Sequence, residues 1–347
     1  MTREHWLSLD EPFAEHSSLR WALIMFAVCF AGWHVITNLL INEAPILQNA
    51  IHFGGFALLA SIVFPGRLFG RSSLVFDLIY GASVAAAACW VVAAESRIYE
   101  ETLAITGQSW QFNIFDWTAG LLLIFAALDF SRRVSGWVIP FLIIVSVSYI
   151  LFLGEYLPGV FRTASLPLDD VLFRTIYNDE GLFGILANIS SSNIALFMIF
   201  GGFLVVSGAS DFVIEVSKVV AGKIRGGAAF VAVLSSALTG TISGSAVANT
   251  ASTGVITIPL MKSSGFRGRF AAGIEAAAST GGQLMPPIMG AGAFVMASYT
   301  SIPYATIVAV SVIPALLYFL SVAFVVRIEA VKHRVGDGID MSVRRAK

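Results

Sequence analysis

Eight apolar runs, each near the length of a bilayer crossing, dominate this sequence: residues 19–41, 46–64, 74–94, 115–130, 134–153, 182–206, 270–299 and 302–326. A helix needs roughly 20 apolar residues to cross hydrocarbon, and only helices or closed barrels satisfy their own backbone hydrogen bonds there. Runs of this length are too long for barrel strands. The chain is therefore expected to be all-α and polytopic, with about eight transmembrane helices. Composition agrees, since 57% of the 347 residues are hydrophobic and only 12% are charged, about half the charge of a soluble domain. A net charge of -1 argues against a nucleic-acid partner and leaves the lipid bilayer as the expected surroundings. Cys29 and Cys89 lie inside apolar runs, where a thiol is expected as core filler rather than in a disulfide or metal site. Residues 1–20 lack the short apolar segment and cleavage site of a signal peptide, so the N-terminus is expected to be retained.

Charge along the chain sets the sidedness. Arg67, Arg71, Arg132 and Arg133 fall in loops that alternation assigns to one side, whereas the opposite loops hold Glu43, Glu95, Glu100, Glu101 and the acids of 155–180. The positive-inside rule then places the arginine pairs and both termini in the cytoplasm. Lys218, Lys223 and Arg225, and after them Lys262, Arg267 and Arg269, also belong inside, so an even number of crossings must separate the two clusters. The 36 residues from 226 to 261 are too few for two full spans and a turn. A re-entrant helical hairpin resolves the conflict, with legs at 228–238 and 250–260, a tip at 239–249, and each leg reaching only partway into the membrane. Just before it, residues 211–225 place Phe212, Val213, Val216, Val219 and Val220 on one helical stripe, the pattern of an amphipathic interfacial helix.

The hairpin is also where the chemistry should be. Ser243, Ser245, Asn249, Thr250 and nearby carbonyls offer neutral oxygens to a hard monovalent cation such as sodium, and helix N-terminal amides suit a carboxylate. Gly240, Gly244 and Gly254 permit tight turns and close approach. Small residues also pack helices together without binding anything, but the density of hydroxyls and the sidedness argument favour a site. A second break follows at 278–287, where Gly281, Gly282, Pro286 and Pro287 predict an unwound segment whose free carbonyls complete the cation site. Glu275, one turn earlier, either tunes that site or is a satisfied interhelical hydrogen-bonding residue. Asp77 and Asp116 sit near helix starts, Asp129 is expected to pair with Arg132 and Arg133, and Trp6, Trp21, Trp110 and Trp137 are expected as interface anchors. No P-loop, GxSxG or HExxH occurs, so neither an enzyme nor an organic cofactor is expected.

The segments GTISGSAVANTASTGVITIPLMKSSG (240–265) and EAAASTGGQLMPPIMGAGAFVMA (275–297) resemble the large membrane subunit of tripartite ATP-independent periplasmic (TRAP) transporters. With FDLIYG (76–81), LDFSRRVSGWVIP (128–140) and IFGGFLVVSGASDF (199–212) ahead of them, the chain looks like a fused permease of the TAXI type, small subunit before large, over about 74–330. The resemblance implies a sodium-coupled secondary transporter of the inner membrane, moving by an elevator-type mechanism. Its cargo would be a small organic anion, commonly a carboxylate, handed over by a periplasmic solute-binding protein. Carried onto this sequence, Ser243, Gly244, Ser245 and Asn249 match the first hairpin tip. Ser279, Thr280, Gly281, Gly282, Pro286 and Pro287 match the unwound crossing. The implied substrate contacts are Ser243, Gly244, Ser245, Asn249, Thr250, Thr280 and Pro286; the implied sodium ligands are Ser243, Ser245, Asn249, Ser279, Thr280, Gly281 and Gly282. Residues 1–160 would then be small-subunit-like and scaffold helices, 161–225 a scaffold helix and amphipathic arm, 226–330 half of the transport domain, and 331–347 a basic tail. The family's transport domain carries two inverted repeats, and only the first is recognisable here. A second-repeat partner, in a longer chain or a separate subunit, is expected; the alternative is a membrane scaffold that does not transport.

Overall fold

A computed structural model of the protein describes residues 17–41, 43–66, 74–104, 110–222 and 224–335. These residues contain no β-strand. Seven helical segments among them are long and apolar enough to cross a membrane: Trp21–Leu39, Pro45–Val63, Leu74–Thr102, Ile114–Ser135, Val138–Tyr156, Ile185–Val206 and Tyr304–Lys332. The remaining expected crossing, 270–299, is broken into shorter helices. The chain forms two compact units, 1–192 and 193–347.

The first unit is built on α1 (Ser17–Leu39), α2 (Pro45–Val63), α3 (Leu74–Ala104), α4 (Ile114–Ser135) and α5 (Val138–Ser148), followed by the short α6 (Leu168–Leu172) and α7 (Ile185–Ile189). Val84, Ala88, Val91, Leu123, Ile176 and Tyr177 are buried at its centre. A buried polar thread joins α1, α2 and the π turn Ser190–Ile194. His34 Nδ1 donates to the carbonyl of Phe30 at 2.8 Å, and its Nε2 lies 2.8 Å from His52 Nδ1. His52 Nε2 in turn lies 2.9 Å from Ser190 Oγ, within hydrogen-bond distance. Asn49 donates to Phe183 O at 2.7 Å and accepts from Ser191 Oγ at 2.7 Å.

Several local expectations change here. Arg132 and Arg133 are not in a loop; they occupy the last turn of α4, and the chain reverses at Gly136, whose φ of 78° suits glycine. Their guanidinium groups bond Asp129 one turn back and complement the negative helix end, which holds the helix together past them. Glu95, Glu100 and Glu101 likewise ride on α3, which runs to Ala104. Asp116 forms a capping box with Asn113 and pairs with Arg97 at 2.6 Å. Asp77 accepts from the Gly66 amide at 2.9 Å. Cys29 and Cys89 are free and exposed on the helix surfaces rather than buried as core filler. Trp21 and Trp137 are exposed, as anchors should be, but Trp110 stacks on Phe173. Trp6, Arg67, Arg71 and Lys223 lie outside the described residues, as does the tail beyond Val335.

The second unit contains α8 (Ala195–Val206), α9 (Ala209–Ala221), α10 (Gly227–Ser243), α11 (Ala246–Ser263), α12 (Gly268–Gly281), α13 (Ala291–Thr300) and α14 (Tyr304–Lys332). Its core gathers Ala228, Ala232, Met261, Ala271, Ala278 and Val326. Alanine at these positions lets α10, α11, α12 and α14 approach closely. The amphipathic helix is present as α9. It buries Ile214 and Ser217 and leaves Phe212, Val219 and Val220 exposed.

Candidate functional site

The hairpin legs, α10 and α11, are 17 and 18 residues long, about 25 Å each at 1.5 Å per residue, just short of the roughly 30 Å hydrocarbon core. They are longer than the sequence suggested. The expected tip of eleven residues shrinks to Gly244 and Ser245, because the hydroxyls around it satisfy themselves on their own helices. Thr241 donates to Leu238 O at 2.6 Å, Thr250 to Ala246 O at 2.8 Å and Ser252 to Asn249 O at 3.0 Å. Bonds of this kind let polar residues continue a helix instead of ending it. Only Gly244, with φ 59°, turns the chain, and Ser245 caps α11 by accepting from the Ala248 amide at 3.3 Å.

The second break is displaced in the same direction. Residues 278–281 remain helical, Gly282–Leu284 tighten into a 3-10 turn, and the irregular segment runs from Met285 to Gly290. The displacement has a steric cause. Met285 precedes a proline and is driven to extended geometry, φ -83° and ψ 119°. The Gly290 amide closes the loop onto Gln283 O at 2.8 Å, and the Tyr304 hydroxyl sits 2.6 Å from Ile288 O.

Glycines bring the two breaks together. A Cβ on Gly282 would lie 2.7 Å from Gly240 Cα and 3.2 Å from Asn249 Nδ2, and one on Gly244 would lie 2.2 Å from Met289 O. The hairpin and the irregular segment therefore meet backbone against backbone, with no room for a side chain between them.

Beneath this contact lies a buried polar cluster. Asn249 is fully buried and donates through Nδ2 to Ser236 O at 2.7 Å, while its Oδ1 has no partner. The hydroxyl of buried Thr239 is also unpartnered. One turn deeper the situation reverses. Glu275, fully buried, accepts from Ser236 at 2.9 Å, Thr253 at 2.5 Å and Ser279 at 3.1 Å on one oxygen, and from Thr257 at 2.5 Å on the other. Three of these bonds are interhelical, the fourth coming from Ser279 one turn along the same helix, and Ser236 links the cluster to Asn249.

Of the residues the sequence singled out, Asn249, Ser279, Gly281 and Gly282 are buried in or beside this cluster. Ser243, Gly244, Ser245 and Thr250 are half-buried around the turn. Pro286 is half-buried in the irregular segment, whereas Thr280 is exposed and donates to Ala276 O at 2.7 Å. Ser236, Thr239, Thr253 and Thr257 escaped notice. The signal was there: Asn249, Thr253 and Thr257 are spaced by four on α11, and Glu275 and Ser279 by four on α12, which puts each set on one face. Among the described residues no three of His, Cys, Asp and Glu gather as a metal site. The unpartnered atoms here are an amide oxygen and a hydroxyl oxygen, neutral ligands that suit a hard monovalent cation.

Residues 122–347 match the family described as Tripartite ATP-independent periplasmic transporter, DctM component. The chain is similar to the C4-dicarboxylate TRAP transporter large permease protein DctM of Pseudomonas aeruginosa, 36% identical over 137 residues, 40% of this chain and 32% of that protein. It is similar to the DctM protein of Vibrio cholerae, 28% identical over 151 residues, 41% of this chain and 33% of that protein. The 2,3-diketo-L-gulonate TRAP transporter large permease protein YiaN of Escherichia coli is 28% identical over 117 residues, 34% of this chain and 26% of that protein. The chain thus spans about a third of the length of the curated relatives it matches. No solved structure matches it. The relatives are permeases rather than enzymes, and the multi-pass helical fold, the broken crossing and the family match agree: this chain belongs to the DctM family of TRAP transporter large permease components.

Proposed function

We propose that this chain is the permease component of a sodium-coupled secondary transporter that imports a small organic anion across the inner membrane. The observation that carries the reading is the unpartnered Oδ1 of Asn249, fully buried against Gly282 where the hairpin meets the broken crossing. A buried acceptor left without a hydrogen bond costs about 1–3 kcal/mol, and a cation ligated there removes that cost. Asn249, Ser243, Ser245, Ser279, Gly281 and Gly282 are the proposed holders of sodium, with Thr280 contributing through its backbone. Ser243, Gly244, Ser245, Thr250 and Pro286 are the proposed substrate side, where the N-terminal amides of α11 favour a carboxylate. The named substrates of the relatives, a C4-dicarboxylate and a diketo-gulonate, both carry carboxylates.

The family match begins at residue 122, which supports reading the preceding helices as a fused small subunit of the TAXI type. In this reading the substrate arrives from a periplasmic solute-binding protein, both termini are cytoplasmic, and the transport domain moves as an elevator. A second repeat completes the chamber. Proteoliposomes holding the permease with its second repeat, supplied with binding protein and labelled succinate, test this directly. Uptake is expected in sodium and not in choline. Equal uptake in both salts removes the coupling, and no uptake in either favours a scaffold.

A further inference from the structure

A cleft of about 430 Å³ opens between α3, α4 and α5 of the first unit, and no residue of it belongs to the site described above. Its volume falls in the range of about 300–1,000 Å³ typical of ligand pockets. The walls are apolar and aromatic, with Tyr80, Phe125, Leu128, Trp137 and Ile144 among them. At membrane depth the apolar part of such a cavity suits hydrocarbon better than water, which finds no partners on those walls.

The polar edge of the cleft is unequal in a telling way. Asp129 is saturated, with Arg132 on one oxygen and Arg133 on the other. Arg133 is also used up: it is 8% exposed, donates to Phe64 O at 2.8 Å, lies 3.4 Å from Asp77 and sits over the rings of Tyr80 and Phe130. Arg132 is different. It spends only Nε and Nη2 on Asp129, its side chain is 36% exposed, and Nη1 has no hydrogen-bond partner among the described residues. The guanidinium stands 5.4 Å from the ring of Trp137, which is exposed beside the turn at Gly136. A cation with free donors and an amphipathic indole, at a helix end above an apolar cleft, match a molecule with an anionic head and an apolar tail.

We propose that this cleft is a binding site for an anionic phospholipid. Arg132 Nη1 and the Trp137 indole N–H take the phosphate, and one acyl chain lies along Tyr80, Phe125 and Ile144. Arg133 and Asp129 form the rigid base that aims Arg132 outward.

Bromine on an acyl chain quenches a nearby indole, so the site can be read from Trp137. The full-length protein is reconstituted in phosphatidylcholine vesicles containing an equal fraction of brominated phosphatidylglycerol or brominated phosphatidylcholine. The Trp137 signal is taken as the difference from Trp137→Phe. Brominated phosphatidylglycerol is expected to quench at about fivefold lower mole fraction, the worth of one interfacial arginine. Arg132→Gln should erase that preference, and Ile144→Phe, which fills the cleft without touching charge, should weaken quenching by either lipid. Equal quenching by the two lipids in the unaltered protein overturns the proposal, as does a preference that survives Arg132→Gln. If millimolar inorganic phosphate abolishes the preference, the cation serves a soluble anion and the lipid assignment falls.

Discussion

Two of the buried polar networks among the described residues, one in each unit, are finished to different degrees. In the first unit the His34–His52–Ser190 thread and the Asn49–Ser191 pair are closed, each named side chain having a partner. In the second, the Glu275 cluster is closed at its base but leaves Asn249 Oδ1 and the Thr239 hydroxyl open at the hairpin contact. A closed network in hydrocarbon fixes helices against one another and has no vacancy for a ligand. An open one spends stability to keep an acceptor available, which is what an ion site requires. Polarity alone therefore does not single out a candidate site; an open acceptor where two backbone breaks meet does.

The comparison predicts a graded series of effects. The largest should come from Glu275→Ala, which removes the buried acceptor shared by four hydroxyls on three helices, those of Ser236, Thr253, Thr257 and Ser279. A loss of about 3–5 kcal/mol is expected, read as a fall of the melting temperature in detergent, with Glu275→Gln losing much less. If Glu275→Ala melts like the parent, the cluster does not hold these helices.

Next is Gly282→Ala. Its Cβ would stand 2.7 Å from Gly240 Cα, a backbone contact that cannot yield like a flexible side chain, so the irregular segment must shift. Sodium-dependent uptake by the assembled permease should fall at least tenfold, while overpacking costs about 1–3 kcal/mol of stability. Normal uptake would mean that the glycine contact is dispensable.

The sharpest contrast is between two asparagines. Asn249→Ala should raise the sodium concentration for half-maximal uptake about tenfold, as expected for losing one ligand worth about 1.4 kcal/mol, an effect much larger than its effect on folding through the lost bond to Ser236 O. Asn49→Ala removes a closed pair and should do the opposite, destabilising the fold by about 1–3 kcal/mol with an unchanged sodium response. Identical behaviour of the two variants would erase the distinction between open and closed networks. The smallest effect is expected from Ser245→Ala, which removes the cap of α11 at a cost of about 1 kcal/mol and should shift sodium dependence by less than Asn249→Ala does.

Much of this is legible in the sequence. The apolar runs announced the crossings, because hydrocarbon forces each segment to satisfy its own backbone. The spacing of Lys and Arg required a hairpin between 226 and 261. The residues most easily misread were those with two local solutions. Thr241, Thr250 and Ser252 look like helix breakers in sequence, yet each finds a carbonyl three or four residues back and continues the helix. Arg132 and Arg133 look like a loop until Asp129 is seen to hold them on α4. Cys29 and Cys89 look buried because their neighbours are apolar, but in a membrane protein apolar residues also face lipid.

The sequence by itself determined that this chain is a helical membrane protein, which apolar segments form its helices, and that its crossing between 270 and 299 is interrupted, since each follows from local composition and the chemistry of Gly and Pro. Only the tertiary structure decided that Asn249 keeps an open acceptor while Glu275 has none. Whether a buried polar atom finds a partner depends on which helices lie against it, and Ser236, Thr253, Thr257, Glu275 and Ser279 come together only when α10, α11 and α12 pack.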